Sequence, residues 1–276
     1  MQLQNKHKKL DLSSPKVMGI LNVTPDSFSD GGRFSHLDNA LAHAEEMVKQ
    51  GAAIIDVGGE STRPGASDVS LNNELDRVIP IIEKINNNLD CWISIDTSKA
   101  MVMQESVNAG ADIINDIRAL TEEGALQVAI EANVPVCLMH MQGAPRSMQN
   151  APDYNDVVQD VEDFLLDRLD TCARAGIKKN NLILDLGFGF GKQLQHNYQL
   201  LAATKRFVDL GYPILTGVSR KSMFGQLLNR DVEHRLAGSL AGALIAAQQG
   251  SQILRVHDVL ETVDVLRVLQ EVNLYR

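Results

Sequence analysis

Polar side chains follow the short apolar runs of this sequence, where buried strands would end. Asp96, Asn115 and Asp185 supply the acids and the amide among them. A carboxylate can accept two N–H hydrogen bonds in parallel, and an amide can donate one bond and accept another. These three side chains could therefore converge on a flat heterocycle that carries an amino-amide edge.

Cationic or potentially cationic side chains occur at other predicted strand ends, and they are Arg63, Lys221, Arg255 and His257. Such groups suit an anion such as a diphosphate. An acidic cluster beside a basic cluster predicts one ligand with a guanidine-like end and a phosphate end. Asp56 lies inside its apolar run, and we expect it to support a cation rather than to act in catalysis.

Two glycine-rich stretches lie at predicted strand ends. In "IIDVGGESTRPGA" (54–66), a glycine pair precedes four hydrogen-bonding side chains. The second stretch, "GFGFG" (187–191), lacks the spacing of a phosphate-binding P-loop. We therefore expect its glycines to let the backbone approach a ligand, with Phe188 or Phe190 lining that ligand.

The histidines and Met139 give weaker evidence of a functional site than the acids and cations do. Met139 and His140 end one apolar run, where they could line a pocket floor or pack in the core, and the sequence favours neither. No His/Cys cluster has the spacing of a zinc site. We expect four further histidines to lie at the surface, namely His36, His43, His196 and His234.

Eight apolar runs, most of them rich in Ile, Val and Leu, recur along the chain with little alternation. They are 16–22, 52–59, 91–97, 111–117, 134–140, 181–187, 212–219 and 252–258. This pattern is typical of parallel strands covered on both faces. Helical periodicity lies between the runs, for example at 37–48 and 71–85, and glycine ends several of the predicted helices.

Eight strand–helix units in one chain predict an α/β fold, a (β/α)₈ TIM barrel, as a single domain over residues 1–276. The alternative is a doubly wound open sheet, which usually carries a glycine-rich dinucleotide-binding turn near its start. No such turn follows the first run. In a barrel the active site lies at the C-terminal ends of the strands, which would gather the polar residues described above.

Charge and composition argue against several classes of protein, namely nucleic-acid binders, membrane-spanning proteins and secreted proteins. The net charge of −9 over 276 residues argues against a general nucleic-acid binder, although it allows a local basic pocket. The most apolar stretch, 236–247, is too short to cross a bilayer, and Met1–Asp11 has no apolar core of the signal-peptide type. We expect a cytoplasmic protein whose three cysteines, Cys91, Cys137 and Cys172, are reduced structural thiols.

Seven motifs, taken together, resemble those of the dihydropteroate synthases of the folate pathway. They are "MGILNVTPDSFSDGG", "DVGGESTRPGA", "SIDTSK", "INDI", "LDLGFGFGK", "GVSRKS" and "RVHD", and they run from Val17 to Asp258 in the family's order. The resemblance implies a transferase that joins 6-hydroxymethyl-7,8-dihydropterin diphosphate to 4-aminobenzoate and releases diphosphate. It also implies Mg²⁺ as a cofactor, inhibition by sulfonamides as aminobenzoate mimics, and a homodimer.

The resemblance assigns roles to particular positions, and Asp96, Asp185 and Lys221 would be the catalytic residues. The pterin would be held by Asp96, Asn115, Met139, Asp185, Phe190, Lys221 and Arg255. The diphosphate would be held by Asn22, Thr62, Arg63, Arg255 and His257, with Asn22 reaching the Mg²⁺. The aminobenzoate would be held by Phe28, Arg63, Pro64, Phe190, Ser219 and Lys221.

We expect a dissociative substitution without a covalent enzyme intermediate, because the pterin can delocalise the positive charge left when diphosphate departs. One alternative is a pterin-dependent methyltransferase on the same barrel, which would share the pocket of acids and amide but would have less need for Arg255 and His257. Another is a non-catalytic pterin-binding barrel. The helix predicted at 236–247 could contribute to a dimer interface or pack on the barrel.

Overall fold

The strands form a two-stranded hairpin and a closed parallel barrel. The structure is a computed structural model that describes residues 1–5, 7–23, 33–60, 68–143, 148 and 152–275. The strands are β1 (Gln2–Gln4), β2 (Lys9–Asp11), β3 (Lys16–Asn22), β4 (Ile54–Gly58), β5 (Trp92–Asp96), β6 (Ile113–Asp116), β7 (Val136–Met139), β8 (Leu182–Asp185), β9 (Ile214–Thr216) and β10 (Ile253–Val256).

The barrel consists of β3 to β10, and each strand pairs in parallel with its neighbour in the chain. The last strand pairs with the first, because Ile253 lies opposite Lys16 and Val256 opposite Gly19. The predicted (β/α)₈ barrel is therefore confirmed, and the open-sheet alternative is wrong. Most of the strands are shorter than the apolar runs that predicted them.

Helices surround this barrel. In the described part of the chain they are α1 (Arg33–Lys49), α2 (Leu71–Asn88), α3 (Ala100–Ala109), α4 (Ala125–Ala132), α5 (Val157–Arg174), α6 (Leu194–Ala202), α7 (Thr204–Val208), α8 (Ser222–Leu228), α9 (Leu236–Gln248) and α10 (Val259–Asn273). The periodic segments 37–48 and 71–85 fall inside α1 and α2. Ser70 begins α2, since its side chain accepts a hydrogen bond from the Asn73 amide.

The interior of the barrel is apolar at its N-terminal end. One inward side chain from each strand forms this layer, and these are Met18, Ile54, Trp92, Ile113, Cys137, Ile183, Leu215 and Ile253. Because side chains alternate along a strand, the next inward positions lie two residues further on. Those positions include Asp56, Asn115, Asp185 and Arg255, so the interior becomes polar toward the C-terminal end.

The N-terminal hairpin closes the apolar end of the barrel, and the sequence analysis did not predict it. Leu3 and Leu12 are almost completely buried and belong to the same cluster as the interior layer. The hairpin is also held by Lys8, whose Nζ lies 2.8 Å from Asp112 Oδ2 and 2.9 Å from the Cys91 carbonyl oxygen. The hairpin signal was weak because each strand has only three residues.

The small-residue helix α9 packs on the fold. Gly238 and Gly242 are buried, and a Cβ atom at Gly242 would lie 2.6 Å from the Phe224 ring of α8. One face of α9 therefore contacts its neighbours inside the chain, while Ile245 is exposed on the other face.

Two expectations on composition can be compared with the structure. The three cysteines are free thiols and all are buried, in agreement with the prediction of unpaired structural thiols. Among the described residues, no helix combines the length and the apolar character needed to cross a membrane.

Candidate active site

Arg255 lies between two acids inside the polar end of the barrel. Its Nε donates to Asp56 Oδ2 at 2.6 Å, and its terminal nitrogen donates to Asp96 Oδ2 at 2.6 Å. Asn115 also donates to Asp56, at 3.2 Å to Oδ2. Asp56 is completely buried and binds both the Arg255 cation and the Asn115 amide; the sequence predicted the support of a cation but not the contact with the amide.

Burial changes the protonation equilibria of the acids. It raises the pKa of Asp96 to about 7; Arg255 opposes this shift, and Asp56 adds to it. Burial also raises the pKa of Asp185, although the Gly187 N–H, which donates to Asp185 Oδ1 at 2.8 Å, acts in the opposite direction. Both carboxyl groups thus titrate above the usual range of an aspartate.

Lys221 lies at the N-terminal end of α8 with its ammonium over an aromatic ring. Its Nζ is 4.3 Å from the centroid of the Phe190 ring, a cation–π contact. The pKa of Lys221 is lowered to about 8, chiefly by burial; the nearby Arg255 contributes to this lowering, and Asp185 and Asp96 oppose it. Near neutral pH this lysine is a cation that can readily lose its proton.

The turn that carries Lys221 is held by contacts that the sequence analysis missed. Arg220 has a φ of 55°, a left-handed conformation that residues other than glycine seldom adopt. Its N–H donates to Ser239 Oγ at 2.8 Å, and its guanidinium pairs with Asp258 at 2.5 and 3.0 Å. These bonds fix the backbone between Ser219 and Lys221.

One open cleft joins these groups. Its lining residues are Asp96, Asn115, Ile117, Met139, Asp185, Gly187, Phe188, Phe190, Gly217, Lys221 and Arg255. All seven residues predicted to hold a pterin are among them. Ile117 and Gly217 were not predicted, because they lie just beyond the ends of β6 and β9 and carry no polar group that could have marked them.

Three further predicted residues lie at strand ends around the mouth of the barrel. Asn22 pairs in register with Gly58, which in turn pairs with Asp96, so these three positions lie in one row. Ser219 Oγ lies 3.1 Å from His257 Nδ1 and also accepts the His257 N–H at 3.2 Å. The other four predicted residues, Phe28, Thr62, Arg63 and Pro64, lie outside the described residues.

Hydrogen bonds and ion pairs hold the residues that flank segment 61–67, which carries Thr62, Arg63 and Pro64. Glu60 accepts the Val69 N–H at 2.9 Å and pairs with Lys99 Nζ at 2.5 Å. Lys99 also pairs with the completely buried Glu74, which accepts the Thr97 hydroxyl at 2.6 Å. The Glu60 carboxylate therefore joins the residue before segment 61–67 to the chain just after it.

One prediction needs correction, and another needs an addition. His196 is not a surface residue: it is 8% exposed, and its Nδ1 accepts the Gln193 N–H at the start of α6. The glycines of 187–191 serve first to bring two backbone segments together, because a Cβ atom at Gly187 would lie 1.8 Å from the His140 carbonyl oxygen. Ligand approach alone does not explain that stretch, although Phe188 and Phe190 both line the cleft.

Comparison with known proteins agrees with this geometry. A family model described as pterin binding enzyme matches residues 18–257. A dihydropteroate synthase of Haemophilus influenzae is 58% identical over 270 residues, and the match covers 98% of each chain. The solved dihydropteroate synthase of Yersinia pestis with a sulfonamide drug superposes with a TM-score of 0.94 at 55% identity, covering 99% of both chains. The Xanthomonas albilineans enzyme with 4-aminobenzoic acid gives a TM-score of 0.93 at 48% identity, covering 99% of this chain and 98% of that one.

Proposed function

This chain belongs to the dihydropteroate synthases of the pterin-binding enzyme family, and we propose how its residues perform the reaction of that family. The reaction condenses 6-hydroxymethyl-7,8-dihydropterin diphosphate with 4-aminobenzoate to 7,8-dihydropteroate and diphosphate, a step of folate biosynthesis. The observation that supports our assignment of roles is the meeting of Asp96, Asn115, Asp185, Lys221 and Arg255 in one cleft.

The pterin lies deepest, with its amino-amide edge against the acids. Asp185 and Asp96 accept its N–H groups, and Asn115, which is held by Asp56, exchanges hydrogen bonds with the ring. Met139 and Phe190 cover the faces of the ring. An ionised carboxylate beside the ring also stabilises positive charge that develops there, because both groups are shielded from water.

The diphosphate binds at the mouth to Arg255 and His257, and Thr62 and Arg63, which lie outside the described residues, would complete this site. Arg255 suits this role because its guanidinium is held at two nitrogens by Asp56 and Asp96 and is thereby pre-oriented.

A Mg²⁺ ion would arrive with the diphosphate. Among the described residues no group of three or more His, Cys, Asp or Glu side chains is placed to hold a metal ion by itself. Mg²⁺ commonly takes one or two protein ligands and completes its shell with water and substrate phosphates. Asn22 offers an amide oxygen in the row that contains Asp96, so the residues fit an ion carried by the substrate. When bound, Mg²⁺ would neutralise negative charge on the leaving group.

The chemical step is a dissociative substitution. The C–O bond between the pterin methylene and the diphosphate breaks, and its electron pair leaves with the diphosphate oxygen. The resulting cation is delocalised into the pterin, and the neutral aniline nitrogen of aminobenzoate attacks the methylene and then loses a proton to water. Holding the amine in line supplies much of the rate, since effective molarities of roughly 10⁵ M are attainable.

The aminobenzoate site is completed by residues around Lys221. Ser219, Lys221 and Phe190 are described by the structure, and Phe28, Arg63 and Pro64 would cover the other side. The Yersinia pestis relative binds a sulfonamide drug. The same site in this chain would bind sulfonamides in competition with aminobenzoate.

The test is to incubate the chain with pterin diphosphate, Mg²⁺ and 4-aminobenzoate and to measure diphosphate and pteroate together. We expect equimolar products, loss of activity when Mg²⁺ is chelated, and slow diphosphate release in the absence of aminobenzoate. The Asp185→Asn variant should retain the fold and lose most of the activity. A pterin adduct trapped on a side chain would contradict the dissociative mechanism.

We also infer a homodimer in the cytoplasm. The free buried thiols suit a reducing compartment. Exposed apolar side chains on α8, α9 and α10 suit a second copy of the chain.

A further inference from the structure

A buried lysine follows the glycine-rich stretch and has no part in the reaction described above. Lys192 is 3% exposed, and its Nζ lies 2.9 Å from His140 Nδ1 and 2.9 Å from the Gly187 carbonyl oxygen. The Phe190 and His140 carbonyl oxygens are 3.1 and 3.3 Å away. An ammonium has three donors, so these acceptors are sufficient to satisfy it.

The glycines shape this group of acceptors. Gly187 and Gly191 have φ values of 67° and 60°, and a Cβ atom at Gly191 would lie 2.3 Å from the Gln142 carbonyl oxygen. The segment after β8 therefore lies directly on the segment after β7, and Lys192 binds carbonyl groups of both. A phosphate loop offers N–H groups to an anion; this loop instead offers carbonyl oxygens to a cation.

Each loop residue held by the lysine also contacts a group that we assign to the reaction. Gly187 accepts from Lys192 and donates its own N–H to Asp185 Oδ1 at 2.8 Å. Phe190 accepts from Lys192, and its ring lies 4.3 Å below the ammonium of Lys221. A single residue thus connects Lys192 to each group: Gly187 connects it to Asp185, and Phe190 connects it to Lys221.

A purely structural filler at this place would not need a charge. The four acceptors around its ammonium are neutral, and burying a charge without a carboxylate partner is costly. The pKa of Lys192 is lowered to about 7, chiefly by burial; the charge of Lys221 contributes to this lowering, and Asp185 opposes it. The positive charge in turn acts on Asp185, whose pKa Lys192 lowers.

We propose that Lys192 is a positioning residue for the pterin: by holding Gly187 and Phe190 it sets the orientation of the Asp185 carboxylate and of the Lys221 ammonium. This proposal rests on the function proposed for the cleft. It assigns no contact between Lys192 and the substrate.

The test compares two ligands on the folded Lys192→Met variant by calorimetry. The first ligand is 6-hydroxymethylpterin, which lacks a phosphate, and the second is inorganic diphosphate with Mg²⁺. We expect the Kd of the pterin to rise at least tenfold and the Kd of diphosphate to change less than twofold, because the acceptors that hold Lys192 belong to His140, Gly187 and Phe190 and not to the residues assigned to diphosphate. The Lys8→Met variant is the matched control: it removes a hydrogen-bonded lysine ammonium at the opposite end of the barrel and should change neither Kd.

An unchanged pterin Kd in Lys192→Met would overturn the proposal, as would an equal weakening of both ligands, which indicates general loss of structure. If Lys192→Met does not fold, His140→Leu is the second variant, because it removes the Nδ1 acceptor of Lys192. The pterin Kd should rise selectively in this variant too, by a smaller factor, and an unchanged pterin Kd there would count equally against the proposal. Failure of the wild-type chain to bind the pterin would instead refute the proposed function of the cleft.

Discussion

At the scale of single residues, the site is built around one guanidinium. Arg255 is held by two carboxylates, and only the fully buried Asp56 also receives the Asn115 amide. Asp56 therefore orients both the group assigned to the anion and a group assigned to the pterin. Removing its charge should affect both ends of the substrate.

The Asp56→Asn substitution tests this role. We expect kcat/KM for pterin diphosphate to fall by roughly ten- to a hundredfold and the free energy of unfolding to fall by about 3–5 kcal/mol, the usual cost of breaking a buried ion pair. Asp112→Asn is the control, since that buried acid binds Lys8 and the Ile93 amide at the opposite end of the barrel. Its stability should fall while kcat/KM stays within twofold of the wild type, and the same kinetic loss in both variants would contradict the role of Asp56.

The shifted pKa values predict how pterin affinity depends on pH. The pKa of Asp96 is raised to about 7, so below that pH the carboxyl group is protonated. One of its oxygens then carries a proton and accepts N–H hydrogen bonds less well. The pKa of Lys221 is lowered to about 8, so above that pH its charge is lost. Affinity for 6-hydroxymethylpterin should therefore be greatest between about pH 7 and pH 8.

Calorimetry from pH 5.5 to pH 9.5 measures that profile. Asp96→Asn should remove the rising limb near pH 7, and Lys221→Met should remove the falling limb near pH 8. A pterin affinity that does not change over this range in the wild-type chain would show that neither group titrates in the site.

The polar residues of the cleft were predictable because the ends of the predicted strands follow from local pattern. Asp96, Asn115 and Asp185 each close an apolar run, which placed them at one end of a barrel before any contact was known. Lys192 and Lys99 were not predicted, because their roles depend on contacts between loops that are far apart in the chain. No spacing in the sequence encodes which carbonyl oxygens surround an ammonium.

At the scale of elements, the hairpin of β1 and β2 acts as a plug. Leu3 is completely buried against the apolar layer of the barrel, far from the cleft. The eight barrel strands were predicted from runs of apolar residues, whereas each hairpin strand of three residues has too few positions for a pattern. Long-range burial rather than local propensity accounts for this hairpin.

Leu3→Ala separates stability from catalysis. The free energy of unfolding should fall by about 2–5 kcal/mol, because a cavity forms in a closed core, and kcat should not change below the unfolding transition. Chemical denaturation and steady-state kinetics on one preparation measure both. Gln2→Ala, at an exposed position in the same strand, should change stability by less than about 0.5 kcal/mol. A kinetic loss in Leu3→Ala would indicate that the plug and the cleft are coupled.

At the scale of the whole molecule, the exposed apolar side chains are unevenly distributed. Most of the large ones in the described residues lie in the last 50 residues, namely Leu227, Leu228, Val232, Ile245, Leu260, Val268, Val272, Leu274 and Tyr275. The three helices α8, α9 and α10 that carry most of them are neighbours in the fold. Large exposed apolar patches commonly mark protein interfaces.

The sequence left open whether the helix at 236–247 packs on the barrel or forms an interface. The structure accounts for its small residues by contact with α8, whose Phe224 lies against Gly238 and Gly242. Its outward residue Ile245 is 41% exposed and is free to join a second surface. Packing inside the chain is therefore shown for one face of the helix, and the dimer interface stays a prediction for the opposite face.

Val268→Glu on α10 tests whether that surface forms a dimer. In a monomer the substitution should be almost neutral, since Val268 is 66% exposed and glutamate favours a helix more than valine does. In a symmetric dimer it places a carboxylate from each copy in an apolar interface, where desolvation costs several kcal/mol, so the variant should sediment as a monomer where the wild type sediments as a dimer. Met101→Glu, at a 52% exposed position on α3, should leave the dimer intact. A wild-type chain that remains monomeric at micromolar concentration, or a Val268→Glu variant that still dimerises, would place the interface elsewhere or remove it.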